Sequence, residues 1–291
     1  MKNRILLAGV IFISIIMFTG TGKDNDRGIK VMTFNIRYDN PDDGENGWLH
    51  RRESLLRLIK LYKADIIGTQ EVLKNQLDYI AGNLEGFGWT GIGRDDGKQA
   101  GEYSVIFFNR KKVEMLESDT FWCSETPGKP GLGWDAVCNR IVTWGKFRVK
   151  ESGIEFYVFN THFDHIGVTA RLKSAELIME KIKSICSGEP VIITGDFNST
   201  PSDKPYEIIT ALYRQKIKYD FYDSKNISES PHKGPEGTFN GFKLAEPATG
   251  PIDYIFVSNG INVKTHETIS DKFNDHYPSD HFPVIAELTF K

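Results

Sequence analysis

Ser279-Asp280-His281-Phe282-Pro283, close to the C-terminus, sets a carboxylate beside an imidazole, between a Pro-Ser turn and an apolar run over 284–290. Gly195-Asp196-Phe197-Asn198 follows a second apolar run, Val191-Ile192-Ile193. Ile252-Asp253-Tyr254-Ile255 and Asn160-Thr161-His162 put further polar residues at the ends of, or inside, β-type runs. Carboxylates and imidazoles carried into a fold on apolar strands must pair with one another or with a metal ion, because a buried charge left uncompensated is strongly destabilising. These residue types suit metal-assisted hydrolysis of a phosphate ester. The lack of a Cys-x-x-Cys excludes a structural zinc site of that type.

The elements that must position these groups alternate along the chain. Residues 31–36, entered from Ile29-Lys30, read as a strand with Asn35 near its end. Residues 48–62 carry Leu55, Leu56, Ile59 and Tyr62 at helical spacing. Residues 65–71 read as a strand ending in Gln70-Glu71, and 72–84 as a helix with Leu73, Leu77, Ile80 and Leu84 on one face. Strands are expected over 103–108 and 113–120, a long Gly/Pro loop over 125–134, and a hairpin from 141–149 and 154–160. A long amphipathic helix over 169–186, a helix near 206–212, a loop over 226–237 and strands over 252–257 and 284–290 complete the chain. Many strands with few helices, no fixed repeat and no linker predict one α/β layered sandwich.

The 291 residues are 40% apolar and 26% charged, enough for a sizeable core, and the net charge of −3 with no long Lys/Arg run leaves no nucleic-acid footprint. Lys2 and Arg4, an apolar stretch over 5–18 and small residues over 19–22 form the three-part pattern of a secretory signal. Residues 1–22 are therefore expected to be a signal peptide and 28–291 the mature domain, exported to a periplasmic or extracellular address. Three cysteines, Cys123, Cys138 and Cys186, leave an odd thiol; Cys123 and Cys138 are the pair that export would allow to join.

In their order, the Asn at the first strand end, Gln70-Glu71, Asn160-Thr161-His162, Gly195-Asp196-Phe197-Asn198, Ile252-Asp253-Tyr254 and Asp280-His281 resemble the motifs of the endonuclease/exonuclease/phosphatase superfamily, whose fold is that of pancreatic deoxyribonuclease. The resemblance spans almost the entire mature chain, and the segments 121–127 and 133–135 look like an exported bacterial subgroup. It implies a four-layer α/β/β/α sandwich with two packed mixed β-sheets, and a phosphoesterase site using Mg²⁺ or Mn²⁺ at the strand ends. The substrates of such proteins span nucleic acids, inositol phosphates and sphingolipids, so the fold does not choose among them.

On that resemblance, Asn35 and Glu71 hold the metal and Asp280 adds a carboxylate; for Glu71 alone, a charge favouring a helix N-terminus is the competing role. Asp196 and Asn198 position and activate water, against an ordinary strand-to-turn connection. Asp253 orients His281, which binds the phosphate or moves a proton. His162, steadied by Asn160, donates to a phosphate or leaving-group oxygen, and Asp164 and His165 stand either on the same rim or in a solvated loop. Arg140 either clamps phosphate or makes an ion pair. Tyr103, Trp122, Trp134 and Phe239 are candidates for the substrate wall, although aromatic residues are more often core. The expected activity is a phosphodiesterase acting by in-line water attack, working as a monomer on a phosphate-ester substrate without an obligate protein partner. The alternatives are a sphingomyelinase-type headgroup hydrolase and a non-catalytic binding protein on the same fold.

Overall fold

The computed structural model describes residues 28–212, 218–243 and 250–291, and the expected signal segment lies outside them. In chain order the elements are β1 (Gly28–Asn35), α1 (Trp48–Tyr62), β2 (Ile66–Val72), α2 (Lys74–Asn83), β3 (Phe87–Thr90), β4 (Tyr103–Asn109), β5 (Val113–Trp122), β6 (Ile141–Val149) and β7 (Glu155–His162). Then come α3 (Val168–Ile185), β8 (Val191–Asp196), the short α4 (Lys204–Glu207), β9 (Phe221–Asp223), β10 (Asp253–Ser258), β11 (Ile261–Thr268) and β12 (Val284–Phe290). The strands form two mixed six-stranded sheets, ordered β11-β12-β1-β2-β4-β3 and β5-β6-β7-β8-β10-β9.

Alternation along each strand builds the layers. Val31 and Ile66 face a core shared with Val158, Ile192 and Ile255 of the other sheet. Their neighbours Met32, Phe34 and Ile67 face the opposite way, onto Leu55, Ile59, Leu77 and Ile80 of α1 and α2. On the second sheet Phe159 and Ile193 face Ala175, Ile178 and Ile182 of α3. Strands buried on both faces must be apolar at every position, which is why these segments read as unbroken hydrophobic runs. Three apolar interfaces thus separate four layers, as expected from the sequence.

Toward one end, the rows facing the space between the sheets change from apolar to polar. Val31-Thr33-Asn35, Ile66-Gly68-Gln70, Phe156-Val158-Asn160-His162, Ile192-Thr194-Asp196 and Val257-Ile255-Asp253 each run from hydrophobe to polar group at alternate positions. Asn160 does not hold His162. Its amide donates to Thr69 O (2.9 Å) and Val105 O (3.0 Å) across the sheets, and its Oδ1 accepts from Gln70 Nε2 (2.7 Å) and Thr194 Oγ1 (3.1 Å). This polar stitch is so close that a Cβ on Gly68 would lie 2.3 Å from Thr194 Oγ1 and 2.6 Å from Asn160 Oδ1. Only glycine fits there.

Several expected boundaries move. Val72 still pairs with Tyr103, so the helix over 72–84 begins at Lys74 instead, with the Gln76 side chain accepting from Leu73 N (3.0 Å). The helix near 206–212 begins at Lys204 and passes into a π-type turn, Ile208–Leu212. β3, β9 and β11 were not expected: β3 and β9 have four and three residues, and all three are edge strands. The polar residues Lys264 and Glu267, half-buried, and Thr265, exposed, break up the hydrophobic pattern of β11. Cys123 and Cys138 are free thiols and form no bridge, and Cys186 is also free.

Candidate active site

Strand register assembles the centre. In sheet two, His162 of β7 pairs with Asp196 of β8, and Asp196 in turn pairs with Asp253 of β10. Three chemically active groups therefore stand side by side on adjacent strands, all on the inner face. His281, just before β12, reaches them from sheet one: its Nδ1 donates to Asp253 Oδ2 at 2.9 Å, and its Nε2 lies 3.7 Å from Asp196 Oδ2. Burial works against charge on His281, but Asp253 and Asp196 hold its proton well above the ordinary range. One donor atom from each of Asp196, Asp253 and His281 lies within 4.8 Å of the others, a spacing that also suits a metal ion, and the hydrogen bond within this relay joins His281 to Asp253.

Asp196 is buried, and burial together with the neighbouring Asp253 raises its carboxyl to about 7, the range of a general base at neutral pH. Asn198 sits at φ 45°, a left-handed conformation rare for non-glycine residues, and its backbone N–H donates to Asp196 Oδ1 (2.9 Å). Its side-chain nitrogen donates to Phe163 O (3.0 Å), which fixes the amide orientation, and also to His162 Nε2 (3.1 Å). His162 is neutral, because burial and then Arg140 lower its pKa. With Nε2 accepting, its proton sits on Nδ1. A donation from His162 to a phosphate or leaving-group oxygen, as expected from the sequence, would in this arrangement come from Nδ1.

Across the cleft, Glu71 at φ 61° occupies a register shift between Thr69 and Val72. The bulge takes it out of strict alternation. Its carboxylate accepts from Asn35 Nδ2 (2.9 Å) and Tyr38 N (3.0 Å). Asn35 also donates to Asp196 Oδ2 (2.9 Å), while its own Oδ1 accepts from Arg37 N (3.0 Å). The amide thus bridges two carboxylates and positions them, while its oxygen is turned toward Arg37 N. Burial and the nearby Glu71 raise the carboxyl of Asp280. Glu71 and Asp280 both line the cleft, and carboxylate oxygens are the donor type that a hard divalent cation takes.

A cleft of about 490–560 Å³ is not unique on the surface, but the one of ≈ 560 Å³ contains this chemistry. It is lined by Glu71, His162, Asp196, Asn198, Asp280 and His281, and also by Arg140, His165 and Phe239. The Phe239 ring meets His281 edge-on at 5.0 Å. Tyr103, Trp122 and Trp134 do not line it. Tyr103 is buried and donates to Lys98 O (3.1 Å), Trp122 is buried and donates to Arg94 O (2.7 Å), and Trp134 packs against the α3 core. Asp164 is fully buried and is no rim residue; its carboxylate accepts from Gly167 N (2.7 Å), Ile166 N (3.0 Å) and Val137 N (3.2 Å).

Four basic and acidic groups escape a reading of the sequence. Arg37 lies 3.8 Å from Asp280 Oδ2, and buried Arg51 donates to Ile36 O, Arg37 O, Tyr38 O and Pro278 O, holding the loop after β1 against the segment before Asp280. Arg37 follows Asn35 closely and was within reach of a motif argument. Arg94 and Glu102 also line the cleft, but they lie in a Gly-rich loop with no local signal.

Comparison with known proteins agrees with this fold. A crystal structure of an endonuclease/exonuclease/phosphatase from Bacteroides vulgatus superposes with a TM-score of 0.84 at 40% identity, covering 91% of this chain and 99% of that one. A mannosyl-6-phosphatase from Bacteroides thetaiotaomicron matches with a TM-score of 0.84 at 38% identity, over 90% of this chain and 100% of the other. A probable RNA exonuclease from Saccharomyces cerevisiae is 30% identical over 250 residues, 72% of this chain, though the match spans only 47% of the yeast protein. The family model described as Endonuclease/Exonuclease/phosphatase matches residues 32–281, from the first strand to the histidine of the relay. The chain therefore belongs to the Endonuclease/Exonuclease/phosphatase family and is a phosphoesterase by kinship.

Proposed function

We propose that the protein is a divalent-metal-dependent phosphomonoesterase that releases phosphate from a phosphorylated sugar. The observation that carries the hydrolytic reading is the single row of His162, Asp196 and Asp253, closed by His281. Asp196 accepts the proton of the attacking water. His281, held charged by Asp253, donates from Nε2 to a phosphoryl oxygen as negative charge develops there. Asn198 and Asn35 fix the Asp196 carboxylate from two sides. A Mg²⁺ or Mn²⁺ ion at Glu71 and Asp280 supplies Lewis-acid stabilisation of the phosphoryl group when bound. No nucleophilic side chain is needed, since Ser279 spends its hydroxyl on Asn35 O (2.7 Å).

The choice of a sugar monoester over the diester expected from the sequence rests on the mannosyl-6-phosphatase relative, which aligns over its full length. The nuclease-like relative is less identical and covers less of this chain. The test is a panel of mannose 6-phosphate, p-nitrophenyl phosphate, bis-p-nitrophenyl phosphate and an oligonucleotide, with Mg²⁺ and with EDTA. Monoesters should be hydrolysed at least tenfold faster than diesters, and EDTA should abolish turnover until metal is restored. Preferential diester cleavage, or full activity in persistent chelator, overturns the reading.

A further inference from the structure

Among the described residues, four buried side-chain nitrogens without hydrogen-bond partners belong to the cleft: Arg94 Nε, Arg140 Nε, Arg140 Nη1 and His162 Nδ1. Arg140 Nε lies 3.5 Å from Asp164 Oδ2, but without the alignment of a hydrogen bond. Buried donors left open at the wall of a cleft are costly unless a ligand completes them. Arg94 Nε also lies 3.9 Å from Asp95 Oδ1, and Arg140 Nη2 is 3.0 Å from His165 Nδ1. His162 Nε2 faces Asp196 at 3.5 Å, whereas Nδ1 faces Glu102 Oε2 at 4.0 Å.

We infer that Arg94, Glu102 and Arg140 form a second subsite, which holds hydroxyl groups of the sugar beyond the phosphoryl group. This rests on the sugar-phosphate reading above and adds the residues that would select the sugar.

Charge balance separates a hydroxyl-bearing ligand from a second anion. Arg94 donates to Glu102 Oε2 at 2.7 Å, and Arg140 is matched by Asp164, so each guanidinium already has its own carboxylate. An anion placed here meets Glu102 as a like charge. A hydroxyl does not: it accepts from an N–H of the Arg94 or Arg140 guanidinium and donates to the Glu102 carboxylate. Guanidinium groups only donate and carboxylates only accept, and a hydroxyl is the group that satisfies both at once.

The wall is built in advance. The loop between β3 and β4 closes on itself through Gly93 N to Lys98 O (3.0 Å), Asp95 N to Ala100 O (3.0 Å) and Arg94 N to Glu102 O (3.1 Å). It reaches across to the other sheet, where the Trp122 indole donates to Arg94 O and Asn139 donates to Asp95 Oδ1 (3.1 Å). Trp122 and Tyr103 thus brace the loop from behind and do not face substrate. A subsite held rigid before binding loses little conformational freedom when the ligand arrives.

The experiment compares wild type, Arg94→Ala and the isosteric Glu102→Gln on mannose 6-phosphate, butyl phosphate and p-nitrophenyl phosphate, with circular dichroism melts as the folding control. Wild type should prefer the sugar ester to butyl phosphate. Each variant should lose about 10- to 100-fold in kcat/KM on mannose 6-phosphate, mainly through KM, and at least about tenfold less on p-nitrophenyl phosphate. Equal losses on all esters, no loss on any, or a wild type indifferent between mannose 6-phosphate and butyl phosphate overturns the subsite while leaving the hydrolytic reading intact. If wild type cleaves none of the three, the hydrolytic reading fails. Calorimetric titration with methyl mannoside then decides the subsite alone: saturable binding weakened in Arg94→Ala supports it, and no binding overturns it.

Discussion

His281 keeps its proton because two carboxylates surround it, and only Asp253 bonds to it directly, at 2.9 Å. The pair acts as one unit. Replacing Asp253 by Asn removes the acceptor that fixes the ring and its charge, while His281→Ala removes the ring itself. Each should lower kcat about 10³- to 10⁴-fold, and the double variant should be little worse than either. Asp196→Asn should be at least as severe, since it removes the proposed proton acceptor. Steady-state kinetics on all four variants, with melts to confirm folding, checks this. A fully additive Asp253/His281 cycle, or an active Asp196→Asn enzyme, would remove the assignment.

The turn from β7 into α3 is where a sequence reading of Asp164 goes astray. Beside His165 it resembles a solvated loop residue, and a change there would be expected to be mild. Its carboxylate instead accepts three backbone N–H groups and lies 3.5 Å from the buried Arg140. Burial works against ionisation, yet the bonds from Gly167 and Ile166 and the charge of Arg140 hold its pKa below the usual value. Asp164→Ala leaves these donors and a buried guanidinium uncompensated. The expected cost is about 3 kcal/mol, or roughly 5–10 °C in Tm for a chain of this size. Calorimetric melting measures it; a Tm within about 1 °C of wild type would return Asp164 to the surface role.

At the scale of the molecule, the cleft opens where the two sheets stop sharing an apolar core, so the reaction centre draws on both: Asn35, Glu71, Asp280 and His281 from one, His162, Asp196 and Asp253 from the other. The opening segment carries a separate proposal, export, supported by its basic-apolar-small pattern. N-terminal sequencing of protein from the native envelope should find a start between about Gly20 and Asn25. Recovery of Met1 on a soluble cytoplasmic species overturns it.

The sequence by itself determined the layered α/β fold and singled out Glu71, His162, Asp196, Asn198, Asp280 and His281, which line one cleft. Strand periodicity is two, so Val-x-Thr-x-Asn, Ile-x-Thr-x-Asp and Val-x-Asn-x-His each declare a face that passes from hydrophobe to polar group, and that passage marks the end of the shared core. What periodicity does not carry is depth along the row or the conformation of single residues. Asn160 and His162 lie on the same face, two residues apart, yet one is stitched between the sheets and the other stands in the cleft. Glu71 reaches the site through a bulge, and the Asn198 amide sets the tautomer of His162. Arg94 and Glu102 enter the cleft only because their loop rests on Trp122, 28 residues from Arg94 along the chain. Such contacts are made between distant segments, and the local pattern around either partner records nothing of the other, so tertiary structure alone decided them.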